Sequence, residues 1–178
     1  MIMVIACMAL TANAQEIATD KFTPQFGLIF KGTHDIGNGY TFTPKAFVMV
    51  CNGIQPWGYL SLSKGNFTAT LGGVNNYRGK EAVGFAALKC KLPLGGGYTI
   101  THEAYTLGYD DDYFVWGCYD RTFSGEVDKT LGIYWELSGS DLARLQAGPC
   151  ASIGNFELDI LLGKTSSIRG NWTVPINL

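Results

Sequence analysis

The sequence predicts an all-β fold, an eight-stranded antiparallel up-and-down β-barrel with a short C-terminal helix. Three observations carry it. Short apolar or alternating stretches recur along the chain with turn residues between them. The 23 glycines and a charged fraction of only 16% suit a protein of many tight turns better than a helical one. Residues 97–137 read as three consecutive antiparallel strands, the closing wall of a barrel.

In chain order, residues 15–25 are polar and form an extended lead-in to Phe26–Lys31, a short apolar strand closed by the Gly37-Asn38-Gly39 turn. Phe47–Cys51 is a second strand, and Trp57–Ser63 alternates with period two. Lys64-Gly65-Asn66 turns the chain into Phe67–Leu71, and Ala82–Leu92 follows. Leu94-Gly95-Gly96-Gly97 is a hairpin tip, because glycine accepts the positive φ angles that such a tip demands. Tyr98–Leu107 alternates, and Tyr113–Cys118 and Leu131–Leu137 are aromatic strands. A short helix is expected at Ser140 (N-cap), Asp141, Leu142, Leu145 and Ala147, stopped by Gly148-Pro149. Phe156–Leu162 is a final strand before an exposed tail.

With 178 residues, 47% of them hydrophobic, the chain is long enough for one domain with a sizeable core. Residues 1–14 read as a signal peptide: an apolar run to Leu10, then small residues around Ala12-Asn13-Ala14. The apolar run is far shorter than the roughly 20 residues of a spanning helix. The expectation is therefore a secreted, extracellular protein without a membrane span, its single domain covering 15–178. A net charge of −2 with scattered Lys and Arg excludes a nucleic-acid partner as the natural reading. Low charge with many aromatics permits a homo-oligomer.

Cys51, Cys90, Cys118 and Cys150 remain once Cys7 leaves with the signal, and an even number in an exported domain implies two disulfides, with three connectivities open. Spacings of 39, 28 and 32 residues are too wide for a zinc knuckle, and no metal is expected. Asn66-Phe67-Thr68 and Asn171-Trp172-Thr173 are glycosylation sequons at Asn66 and Asn171. Asp110, Asp111 and Asp112 lack the spaced pattern of a calcium loop and read as a solvated turn. His102 reads as a partly exposed structural residue of its strand. There is no Gly-x-Ser-x-Gly elbow, no HExxH and no phosphate loop opening a helix, so no enzyme is expected.

Gly108-Tyr109-Asp110-Asp111-Asp112-Tyr113-Phe114-Val115-Trp116-Gly117-Cys118 is similar to the second conserved motif of the lipocalins, a Thr-Asp-Tyr turn leading into an aromatic strand. Ile133-Tyr134-Trp135-Glu136-Leu137-Ser138 resembles the strand of the third motif. Cys51 followed by Tyr59-Leu60-Ser61-Leu62 looks like the second strand of apolipoprotein D-like and crustacyanin-like members. The first-motif Gly-x-Trp is missing, and Gly139 stands where the family has the Arg that packs over that Trp.

The resemblance implies a carrier that sequesters a small hydrophobic ligand in the barrel: a carotenoid, bilin, retinoid, sterol or fatty acid. No cofactor is required, although a bound carotenoid or bilin chromophore fits the family. By that likeness Tyr113 and Val115 face the cavity, with Ile133, Trp135 and Leu137 beside them. Tyr59, Phe85 and Tyr105 are further aromatic candidates on other strands. The family also implies a bridge from the second-strand cysteine to the C-terminal segment, Cys51–Cys150, which leaves Cys90–Cys118. The rival expectation is a secreted β-sandwich or β-trefoil interaction module, a lectin or a protease inhibitor.

Overall fold

A computed structural model describes residues 23–51, 53–77, 80–107, 113–138, 145–163 and 166–176. These contain β1 (Thr23–Lys31), β2 (His34–Gly37), β3 (Tyr40–Cys51), β4 (Gly53–Lys64), β5 (Phe67–Tyr77) and β6 (Lys80–Gly95). Then come β7 (Tyr98–Leu107), β8 (Tyr113–Phe123), β9 (Lys129–Ser138), β10 (Gln146–Ile153), β11 (Phe156–Gly163) and β12 (Ser167–Pro175). The expected signal at 1–14, the Asp110–Asp112 turn and residues 139–144 lie outside the described residues.

Neighbours in sequence pair antiparallel from β3 round to β12, and β1 closes the circle by bonding to both β12 and β3. Among the described strands only β2 lies outside the closed wall: it follows β1 end to end along β3, pairing residues 40–42 while β1 pairs residues 45–50. The wall therefore has 11 strands. Since β1 and β12 then run the same way, their contact is parallel, from Thr23↔Ser167 to Lys31↔Pro175.

The expectation of eight strands and a C-terminal helix is corrected. Among the described residues there is no helix: Gln146 and Ala147, placed by sequence near its end, pair with Glu136 and Trp135 of β9. The supposed tail is β12, whose ladders to β11 and β1 satisfy backbone groups on both sides. Turn chemistry is as expected at two tips. Gly37, Asn38 and Gly39 have φ of 84°, 54° and 73°, and Gly95, Gly96 and Gly97 have 85°, 60° and 81°, the left-handed region that glycine enters most easily.

Each strand sends alternate side chains to opposite faces of the wall. On β4, Ile54, Leu60 and Leu62 point out while Gln55, Trp57 and Tyr59 point in. On β9, Leu131 and Ile133 point out while Thr130 and Tyr134 point in. The same alternation on β5, β6 and β12 leaves Phe67, Leu71, Leu88, Ile168 and Trp172 exposed outside, Leu71 at 68% and Leu88 at 70%. The buried positions include Thr70, Thr101, Glu103, Gln146, Asp159 and Asn171. The barrel is largely apolar outside and mixed within, where aromatic rings stand beside charged and hydroxyl side chains.

Candidate functional site

The inward side chains enclose a luminal cavity of about 550 Å³. One side of it is aromatic. Phe85 of β6 lies 5.6 Å from Trp57, 5.7 Å from Tyr59 and 5.5 Å from Tyr105, ring centroid to centroid, in tilted and edge-on arrangements. Such offset geometries suit the ring quadrupoles. Val74 and Val83 complete this cluster. Gly72 makes room for it, because a β-carbon there would collide with the Phe85 ring and the Gly58 carbonyl. Tyr105 also meets Phe114 edge-on at 5.8 Å.

Charge is interleaved with these rings. Lys45 Nζ stands 4.9 Å over the Tyr59 ring, and Lys89 Nζ 4.9 Å over Trp116. Lys89 also pairs with Glu103 at 3.4 Å. Burial lowers the Lys45 ammonium from its ordinary pKa, opposed by the nearby Glu103 and Glu157 carboxylates. Burial likewise raises the Tyr59 and Tyr105 phenols, so both stay protonated hydrogen-bond donors at any physiological pH.

The other side is an ionic lattice on β9, β11, β12 and β1. Arg169 Nη2 donates to Glu136 Oε2 at 3.1 Å, Arg169 Nη1 to the Tyr134 hydroxyl at 3.4 Å, and Arg169 Nε to Gln25 Oε1 at 3.2 Å. The Tyr134 hydroxyl in turn donates to Glu136 Oε2 at 3.1 Å. Burial works against the Arg169 charge, but Glu136, Tyr134 and Asp159 outweigh it and hold the guanidinium protonated. Asp159, 2% exposed, is pushed up to about 7, first by burial and then by the Glu157 carboxylate, with Arg169 pulling the other way. The Oδ1 atoms of Asp159 and Asn171 are buried and accept no hydrogen bond from the described residues. They are acceptors directed at the lumen.

Two more luminal side chains come from different strands. Cys118 of β8 and Cys150 of β10 bring their Sγ atoms to 3.3 Å. The hydrogen bond between them, followed by burial, pushes the Cys118 thiol up.

The wall brings Tyr59, Phe85 and Tyr105 together, as candidates on one cavity face. It does not bring the motif residues to them. Val115, Ile133, Trp135 and Leu137 have outward parity, opposite to Trp116, Tyr134 and Glu136. Tyr113 opens β8, and its side chain lies outside the described residues. Asn66 is exposed at the β4–β5 tip, whereas Asn171 is 8% exposed in the lumen, a position closed to a glycan. Cys90 pairs with exposed Phe67 and so faces outward, whereas Cys118 faces inward. A Cys90–Cys118 bridge would have to pass through the wall, which excludes that pairing. Cys150 has Cys118 as its neighbour, and no disulfide is present among the described residues.

Sequence reasoning missed Lys45, Glu103, Glu136, Asp159 and Arg169. The signal that marks them is a charged residue at the in-facing positions of strands whose out-facing positions are mostly apolar or aromatic. Comparison of the chain with family models, with curated proteins and with solved structures gives no match.

Proposed function

We propose that this chain is a membrane-inserted β-barrel that holds a small polar or amphiphilic solute in its lumen. The observation that carries the reading is the sign of the alternation. Exposed Leu and Ile, with several Phe and Trp172, face outward on successive strands, while Lys45, Lys89, Glu103, Asp159 and Arg169 face inward beside an aromatic cluster. In water that arrangement would expose apolar surface and bury charge, both at a cost. In a bilayer the outer face meets hydrocarbon, and closure leaves no unpaired strand edge.

Three further features agree. Strands of 9 to 16 residues in the closed wall, apart from the 8-residue β10 and β11, match the ~9–11 residues of a tilted spanning strand. Outward aromatics gather at the end that carries the tips 37–39, 65–66, 95–97 and 154–155: Tyr98 stacks on Tyr119 at 5.7 Å, and Phe156 lies 6.2 Å from Trp172. Arg121 sits over Tyr98 and Phe123, and Lys64 over Tyr40. Amphipathic rings with cations above them suit a membrane–water boundary. The signal expected at residues 1–14 is the export step that an outer-membrane barrel needs.

An eleven-stranded wall lies between small barrels filled by side chains and wide porin channels. Here the Arg169–Glu136 and Lys89–Glu103 pairs occupy the lumen, so binding is favoured over free passage. A planar solute carrying a charged or hydrogen-bonding group suits the facing aromatic and ionic sides. The test is titration of detergent-solubilised protein with a panel of aromatic acids, aromatic amines and simple sugars, read by the emission of luminal Trp57 and Trp116. Saturable change with one class supports the reading. No change across the panel, with large open-channel conductance in planar bilayers, would replace it with a pore.

A second reading is supported by the Phe85 cluster: a lipocalin-like secreted carrier enclosing a lipophile against Trp57, Tyr59 and Tyr105. It requires the protein to remain monodisperse in water without detergent and to bind retinol or a carotenoid there.

A further inference from the structure

We infer that Cys118 and Cys150 form an intramolecular disulfide inside the lumen, stapling β8 to β10 across β9. The pairing rests on the register of the wall and the approach of the two sulfurs, and holds whether the outer face meets lipid or water.

The register makes the approach possible. Cys118 is opposite Tyr134, and Cys150 is opposite Gly132, so the two cysteines flank β9 on its inner face, offset by two residues. Gly132 has no side chain to stand between them; its other neighbour, across β8, is Asp120. Inward curvature of the wall then lets the two side chains meet above the strand, with their sulfurs 3.3 Å apart. A disulfide needs a further closure of about 1.3 Å. Because β8 and β10 lie two strand spacings apart, it requires both strands to move inward over β9 as well as side-chain rotation. The other candidate partner that is described, Cys90, is on the opposite face of the wall.

Both cysteines line the cavity, and Cys118 is the more exposed of the two. At alkaline pH, where the raised Cys118 thiol begins to ionise, its thiolate attacks a disulfide supplied in solution, such as oxidised glutathione. One glutathione leaves as a thiol, and Cys118 carries the other as a mixed disulfide. Cys150, deprotonated, attacks Cys118 Sγ and displaces that second glutathione thiolate. The protein has lost two electrons and two protons, and the oxidant has become two thiols.

The test is peptide mapping of the full chain, treated with oxidised glutathione at mildly alkaline pH, then alkylated under denaturing conditions. The expected result is a cross-linked peptide pair containing Cys118 and Cys150, released by dithiothreitol, with Cys90 alkylated. The Cys150→Ser variant should accumulate glutathione on Cys118, and the Cys118→Ser variant should leave Cys150 unmodified. The inference is overturned if Cys118 and Cys150 are both alkylated in oxidised wild-type protein, or if either is linked to Cys51 or Cys90. Wild-type mapping decides the matter even if a variant fails to fold.

Discussion

The indole of Trp135 occupies the space beside Gly117 on the outer wall, where a β-carbon would collide with its ring, and the His102 ring stands 5.3 Å from it. A tryptophan that likeness to a known motif assigns to a ligand pocket is instead part of the barrel's external surface. Gly117 is buried beneath it as a consequence of that overlap, not of a core. The outward apolar face thus includes the residue on which a pocket reading depends most.

If that face meets lipid, a charge placed on it is expensive. Ile133 is 45% exposed and Leu60 55% exposed. Ile133→Lys and Leu60→Arg should each cost about 2–4 kcal/mol of barrel stability in vesicles, as charges near the midplane of such barrels do. Exposed to water, the same changes would fall within about 0.5 kcal/mol of wild type. Urea titration of folding into lipid vesicles, followed by tryptophan emission, separates the two.

The luminal ion pair makes an asymmetric prediction. Glu136 is the carboxylate partner of Arg169, and both are largely buried. Glu136→Gln removes the paired counter-charge of the guanidinium, leaving it only the more distant Asp159, and should destabilise the barrel by about 3 kcal/mol. The double change Glu136→Leu with Arg169→Met removes both charges and should recover most of that loss. Denaturant midpoints of the three proteins give the comparison.

Asp159 predicts a pH dependence of definite sign. Its folded pKa lies at about 7, above the ordinary carboxylate value of 3.8, because burial disfavours the charge. The folded state therefore binds the proton more tightly. Its contribution to stability is fully present below about pH 4 and is lost as pH rises through 7. Each tenfold difference in proton affinity between the folded and unfolded states is worth about 1.4 kcal/mol, so the decline is of order 3–4 kcal/mol. In Asp159→Asn that decline should vanish from the difference between the stability curves at pH 4 and pH 8. An Asp159→Asn variant whose stability changes between pH 4 and pH 8 in the same way as wild type would contradict the assignment.

Much of the wall was legible in the sequence. The glycine-rich tips at 37–39 and 95–97 and the alternation of Trp57–Ser63 and Tyr98–Leu107 mark strands that the structure contains. What period-two alternation does not encode is which face is inside. The two faces of β8, with Val115 on one and Trp116 and Cys118 on the other, are both rich in large side chains, so likeness to a motif decides the direction and reverses it. The helix expected before Gly148 rests on Leu142, Leu145 and Ala147 at helical spacing; the β9 ladder claims Ala147 through its pairing with Trp135. β12 resembles a tail because Gly170, Asn171 and Pro175 interrupt it, and its place depends on closure with β1 more than 130 residues away, beyond any local signal.

The most direct test of the outward-apolar wall uses a variant in which Trp57, Trp116 and Trp172 are replaced by Phe, leaving Trp135 as the one emitter. It is reconstituted into vesicles whose phosphatidylcholine carries bromine on the acyl chains, a short-range quencher. Strong quenching relative to unbrominated vesicles is predicted, with weak quenching of the matching variant that retains only luminal Trp116. Unquenched Trp135 emission, with the protein recovered in the aqueous phase, would contradict the account.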